Sequence, residues 1–263
     1  MTGELYKTWE ALKRDNPWKS IFDRPISGLL RSIWAENSIN IHPDDIRIFE
    51  NRKGGGHFVF DLLPEPYRGN LKEPKLVILS LNPGYISRLN RTLYCMLDRI
   101  YQEEYVEALK KNVLLDGENG IVFNEVDNVI GDGYWRSQLA ELRKDLGGDD
   151  AFYSKMALVQ YNPYFSEDYT SWKGDNKLGT QQFSCDLIRR LLYETDALFL
   201  VMRARDRWER LIGKEMRSFW NRFMYNNHPR CQKVSCSNLW NKSAERDEDR
   251  DQYHKILDVF KNQ

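Results

Sequence analysis

Three nearly unbroken apolar runs punctuate the chain: Leu76-Val77-Ile78-Leu79-Ser80-Leu81, Met156-Ala157-Leu158-Val159-Gln160-Tyr161 and Ala197-Leu198-Phe199-Leu200-Val201-Met202. Each stops abruptly, at Asn82-Pro83-Gly84, at Asn162-Pro163 and at Arg203. Short apolar runs with sharp stops predict strands buried on both faces, as in parallel sheets. Gln232-Lys233-Val234-Ser235-Cys236 reads as a weaker fourth strand ended by Ser237-Asn238, and His57–Asp61 as a further short one. Helical spacing fills the intervals, over 86–101, 104–115, 135–146, 183–193, 207–212 and 252–260. Residues 1 to about 50 also carry helical spacing, with Pro25 and Pro43 as breaks. The stretch 64–70 is too proline-rich for either regular element. Strands alternating with helices predict an α/β three-layer sandwich around a short central parallel sheet of about four core strands. The expected organisation is a helical extension over 1–60 packed on an α/β domain of 61–263.

Composition narrows the class. The 263 residues are 41% hydrophobic and 30% charged, which fits a folded domain with a sizeable core. No apolar run is long enough to span a bilayer, and the first residues lack a basic-then-apolar leader pattern. Cys95, Cys185, Cys231 and Cys236 form no CxxC pair, so free thiols in a reducing, cytoplasmic setting are expected and secretion is not. Lysine plus arginine and aspartate plus glutamate each total 39, a balance that argues against indiscriminate nucleic-acid binding. One basic groove on a balanced surface remains compatible with it.

Candidate chemistry belongs beyond the carboxyl ends of the strands, where open parallel sheets bind ligands. Two consecutive core strands end there in Asn-Pro, at Asn82 and Asn162. An asparagine amide carries an acceptor and two donor hydrogens on one flat group, suited to holding a water or reading a base edge. The chain has no GxSxG elbow, no HExxH and no Walker lysine. His42, His57, His228 and His254 show no ligand spacing, so neither a metal nor a cofactor is expected.

Leu79-Ser80-Leu81-Asn82-Pro83-Gly84-Tyr85 resembles the first motif of the uracil-DNA-glycosylase superfamily, in the mismatch-specific and single-strand-selective branches. Ser80 stands where glycine is usual, and the resemblance spans about residues 60 to 260 in element order. It implies a uracil-DNA-glycosylase-like fold and hydrolysis of the N-glycosidic bond of a flipped uracil, mismatched or modified base in DNA. It also implies a DNA-repair role, or phage defence against hypermodified foreign DNA. Asn82 then orients the attacking water, and Pro83, Gly84 and Tyr85 border the base pocket. Asn162 reads the base, with Tyr164 and Phe165 placed to stack on it. Arg203, Arg205, Ser235, Ser237 and Asn238 are the expected DNA contacts. The family's last motif falls either on Ser235–Asn238, preferred because a strand is predicted before it, or on His228-Pro229. The expected partner is single- or double-stranded DNA, bound by a monomer away from any membrane. The competing readings are a non-catalytic nucleic-acid-binding module on the same fold and, ranked last, an unrelated enzyme of small nucleotides.

Overall fold

The computed structural model describes residues 6–34, 39–84, 99–116, 134–148, 150–172, 174–228, 231–240 and 251–261. Its centre is a five-stranded sheet. In chain order the strands of the molecule are β1 (Phe58–Val59), β2 (Tyr67–Gly69), β3 (Leu76–Ser80), β4 (Met156–Gln160), β5 (Phe165–Ser166), β6 (Leu198–Val201) and β7 (Phe223–Tyr225). The central sheet runs β2-β4-β3-β6-β7, with β4, β3, β6 and β7 mutually parallel and β2 antiparallel at one edge. A separate two-stranded ribbon pairs β1 with β5.

The apolar runs form strands because they bury both faces. Val77, Leu79, Ala157, Val159, Phe199, Val201 and Phe223 point into one hydrophobic cluster. Their alternate neighbours Leu76, Ile78, Met156, Leu158, Leu198, Leu200 and Met224 point into another. The first layer is covered by helices Trp9–Arg14, Lys19–Phe22, Ile26–Trp34, Pro43–Glu50, Arg99–Val113, Gln181–Glu194 and Arg205–Ser218. The second is covered by Tyr134–Gln138, Ala140–Asp145, the 3-10 turn Asp150–Lys155 and Gln252–Lys261. The arrangement is α/β with helices on both faces of a mostly parallel sheet, compatible with a three-layer sandwich.

The structure corrects the reading of several segments. The fourth parallel strand is Phe223–Tyr225, in register with Phe199–Val201. Residues 232–236 form no strand; Val234 instead donates its backbone N–H to the Gln138 carbonyl. The proline-rich stretch does contain a strand, β2, because proline's missing donor is tolerated at a sheet edge. Residues 135–146 divide into two helices at Leu139. Of the helix expected over 86–101, residues 86–98 lie outside the described residues.

Gly69 is the tightest point of this edge. It sits at φ +86°, and a Cβ there would stand 2.3 Å from the Met156 carbonyl oxygen. Left-handed strain and a backbone clash act together, so Gly69→Ala is expected to destabilise the fold by about 3 kcal/mol or more. Urea unfolding with an unchanged m-value is the check; a loss below about 1 kcal/mol would mean that β2 shifts to accommodate the methyl group.

Candidate functional site

All four parallel strands deliver their ends to one edge. Across that edge the order is Asn162 after β4, Asn82 after β3, Arg203 after β6 and His228 beyond β7. Neighbouring strands lie about 4.8 Å apart, so the two asparagines sit one strand spacing from each other. Backbone pairing continues past the strands: Tyr161 N–H donates to Ser80 O at 3.1 Å and Asn162 N–H to Leu81 O at 2.8 Å. Ser166 N–H then donates to Pro83 O at 3.2 Å, and Gly84 bridges Ser166.

Asn82 is half-buried and its amide nitrogen is fully used. Nδ2 donates to Ser166 Oγ and to the Pro83 carbonyl, both at 2.7 Å. No described residue donates to its Oδ1. The two Nδ2 hydrogen bonds fix the amide, and they leave Oδ1 without a donor among the described residues. Pro83 is buried and Gly84 exposed, while Tyr85 lies outside the described residues.

Asn162 is completely buried. Its Oδ1 accepts the Tyr164 N–H at 3.0 Å, an Asx-turn that stops the strand. Its buried Nδ2 faces the Tyr169 hydroxyl without forming a well-aligned hydrogen bond, and the buried Tyr161 hydroxyl stands in the same way beside Gln181. Beside them lies a polar knot that the sequence did not announce. The Tyr169 hydroxyl donates to Asp175, and Arg207 pairs with Asp175 at 3.0 Å while its guanidinium lies 4.8 Å from the Tyr169 ring centre. Burial pushes the Asp175 carboxyl above its ordinary range, against the opposing pull of Tyr169 and Arg207. Burial pushes the Tyr161 phenol up to about 12, with Asp175 adding to the rise. Tyr169 is raised well beyond the usual phenol range by the same two causes, so it remains a neutral donor. Arg207 stands two residues after Arg205, and that spacing was the one available hint of it.

Several expected contacts are committed elsewhere. Tyr164 is a core residue, not a pocket wall: it is 1% exposed, its hydroxyl donates to Asp45 at 2.7 Å, and it accepts the His42 N–H at 3.1 Å. Its ring meets Trp18, Phe49 and Phe60 edge-on. Phe165 is half-buried in β5 against the same cluster. Arg205 pairs with Glu209 at 2.7 Å and lies 4.1 Å over the Tyr225 ring, whereas Arg203 is exposed and makes no hydrogen bond or ion pair among the described residues. Ser235 and Asn238 build a turn. Ser235 Oγ accepts the Asn238 N–H, and Asn238 Nδ2 donates to Lys233 O at 2.9 Å. Ser237 is exposed, with its hydroxyl 3.2 Å from Ser235 Oγ.

The correction at β7 reverses the order on which the last-motif preference rested. His228 follows the fourth strand and does not precede it, and it is exposed. Its Nδ1 accepts the Cys231 N–H at 3.0 Å, so the neutral ring carries its proton on Nε2. Pro229 lies outside the described residues.

A surface groove of about 470 Å³ lies away from this edge, where Tyr6 and Lys7 meet the later turns of helices Gln181–Glu194 and Arg205–Ser218. Most of its charges pair with one another, through Lys7–Asp186 at 3.4 Å, Arg189–Asp186 at 3.0 Å and Arg189–Glu215 at 2.7 Å. The groove is therefore a salt-bridged seam, and the strand-end edge is the better candidate for chemistry. No protein-family model, no curated protein and no solved structure matches this chain.

Proposed function

We propose that the chain hydrolyses the N-glycosidic bond of a nucleobase in DNA, at the strand-end edge centred on Asn82. The observation that carries this reading is the Asn82 amide, clamped through Nδ2 by Ser166 and Pro83, with its Oδ1 unpaired among the described residues. A water accepted there has a fixed position, which lowers the entropic cost of attack on C1′. Cleavage develops negative charge on the departing base, and preorganised donors stabilise it. Asn162 Nδ2, a buried donor held only loosely by the Tyr169 hydroxyl, suits a base carbonyl oxygen. Arg203 and the Nε2–H of His228 stand on the neighbouring strand ends, suited to phosphate and base oxygens. The base has to leave the helical stack first, at a cost of a few kcal/mol. The resemblance of Leu79–Tyr85 to the glycosylase motif supports the same reading, with uracil, a mismatched base or a modified base as the substrate class.

A second reading, a nucleic-acid-binding module without catalysis, is favoured by the complete enclosure of Asn162. Single-turnover assays on oligonucleotides carrying uracil, thymine mismatches or modified cytosines, with alkali to reveal abasic sites, separate the two. Wild type is expected to produce abasic sites and Asn82→Ala to do so about 10²–10³-fold more slowly, the usual loss for one preorganised polar group. DNA binding with no abasic product on any substrate establishes the second reading.

A further inference from the structure

On the opposite side of β7 from Asn82, three ligand-type side chains from two separate segments converge. The Cys236 thiol, the Asp251 carboxylate and the His254 imidazole present donor atoms that all lie within 4.8 Å of one another. Cys236 lies in the loop that follows β7, while Asp251 immediately precedes the C-terminal helix Gln252–Lys261 and His254 stands in its first turn. We propose that these three side chains bind a borderline-soft divalent cation, Zn2+ by preference, and so pin the loop after β7 to the C-terminal helix.

The donor set argues for the cation class. Thiolate with imidazole and carboxylate selects zinc over magnesium or calcium, which prefer oxygen alone. In a tetrahedral zinc site donor atoms stand about 3.3–3.8 Å apart, as bond lengths of about 2.0–2.3 Å require. A shift of about 1 Å by the outermost donor reaches that geometry, and Cys236 and His254 are both at least partly exposed. Asp251 Oδ2 and His254 Nδ1 share a proton at 2.6 Å; a cation displaces that proton to solvent and separates the two atoms by about 1 Å.

The surroundings argue independently for a cation. The charged groups that bear on Cys236 are Asp251, Glu141 and Asp145, all acidic. Glu141 accepts the Cys236 N–H at 2.9 Å, and Asp145 accepts the Tyr253 hydroxyl at 2.8 Å. On binding, the Cys236 S–H bond is exchanged for an S–Zn bond and the proton leaves to solvent. Spacing along the chain could not reveal the site, because the cysteine stands far from the other two ligands in sequence and beside Ser235 and Ser237, which suggest only a turn.

Full-length protein is stripped with a chelator and titrated with Zn2+ and with Co2+. One equivalent is expected to bind, with a thiolate-to-cobalt charge-transfer absorption and a rise in melting temperature. Cys236→Ser is expected to abolish the absorption and weaken Zn2+ binding at least tenfold, and His254→Ala to weaken it similarly. Cys231→Ser, whose thiol lies outside the cluster, is expected to change neither. Absence of the charge-transfer band in wild type overturns the proposal, as does undiminished binding by the Cys236→Ser/His254→Ala double variant. Circular dichroism of each stripped variant shows whether it is folded, and a Cys236→Ala variant that folds but binds no metal supports the assignment if Cys236→Ser does not fold.

Discussion

A fragment beginning at residue 61 is expected to lose the cooperative fold of the whole chain, although a boundary near residue 60 is what the sequence suggests. The helices before it pack on the α/β unit and share its core. Leu12, Trp18, Phe22 and Leu29 are fully buried and belong to the same cluster as Val77, Leu79 and Val159. At about 1.5–3 kcal/mol for each large apolar side chain, these four contribute about 6–12 kcal/mol. That is the size of the whole net stability of a typical domain, about 5–15 kcal/mol. Polar ties make the loss worse. Asn16 Nδ2 donates to the Val113 carbonyl at 2.7 Å, and buried Asp45 accepts from Tyr164 and from the Thr180 hydroxyl at 2.8 Å. Truncation removes these hydrogen bonds, at about 0.5–1.5 kcal/mol each. Thermal unfolding followed by near-ultraviolet circular dichroism decides the matter. The 61–263 fragment should show no sharp transition; a cooperative melt within about 5 °C of the full chain would show the N-terminal helices to be a dispensable extension.

The strands legible in the sequence were those whose burial is two-sided. Leu76–Ser80, Met156–Gln160 and Leu198–Val201 have no polar face to show, so a continuous apolar run marks them whatever their neighbours do. Phe223–Tyr225 escaped for the opposite reason. It is three residues long and follows directly on the 3-10 turn Trp220–Arg222, so no run develops. The alternation in Gln232–Cys236 then looked like the missing strand, though Val234 is buried from a loop. The site divides in the same way. Asn82 and Asn162 could be found because they stop strands. Tyr164 was misassigned because aromatic character after Asn-Pro says nothing of direction, and the Asx-turn at Asn162 sends that ring into the core. Ser166 and Asp175 carry no signal in the sequence, and Arg207 only its spacing from Arg205, since what they hold is distant in the chain or lies in irregular loops.

Ser166 is where that hidden part of the site should matter most. Its backbone N–H meets Pro83 O and its Oγ takes one of the two Asn82 amide hydrogens, so it fixes the segment and the side chain together. If Asn82 Oδ1 positions a water, Ser166 is its positioning residue, and its own hydroxyl, 3% exposed, touches no substrate. Ser166→Ala leaves the amide hinged on Pro83 alone. Misplacement of about 1 Å at a reacting centre costs about 10²-fold in rate, so a fall of that order is expected in the single-turnover constant. Oligonucleotide affinity should stay within about threefold of wild type, because the sugar-phosphate contacts that dominate binding are untouched. Ser166→Thr keeps the hydroxyl and should recover most of the rate. A purely structural role predicts otherwise: affinity, melting temperature and rate would fall together, and threonine, with an added methyl in a buried position, would not rescue. An unchanged rate in Ser166→Ala would mean that Pro83 alone aims Asn82, and that the serine serves only to tie β5 to the strand end.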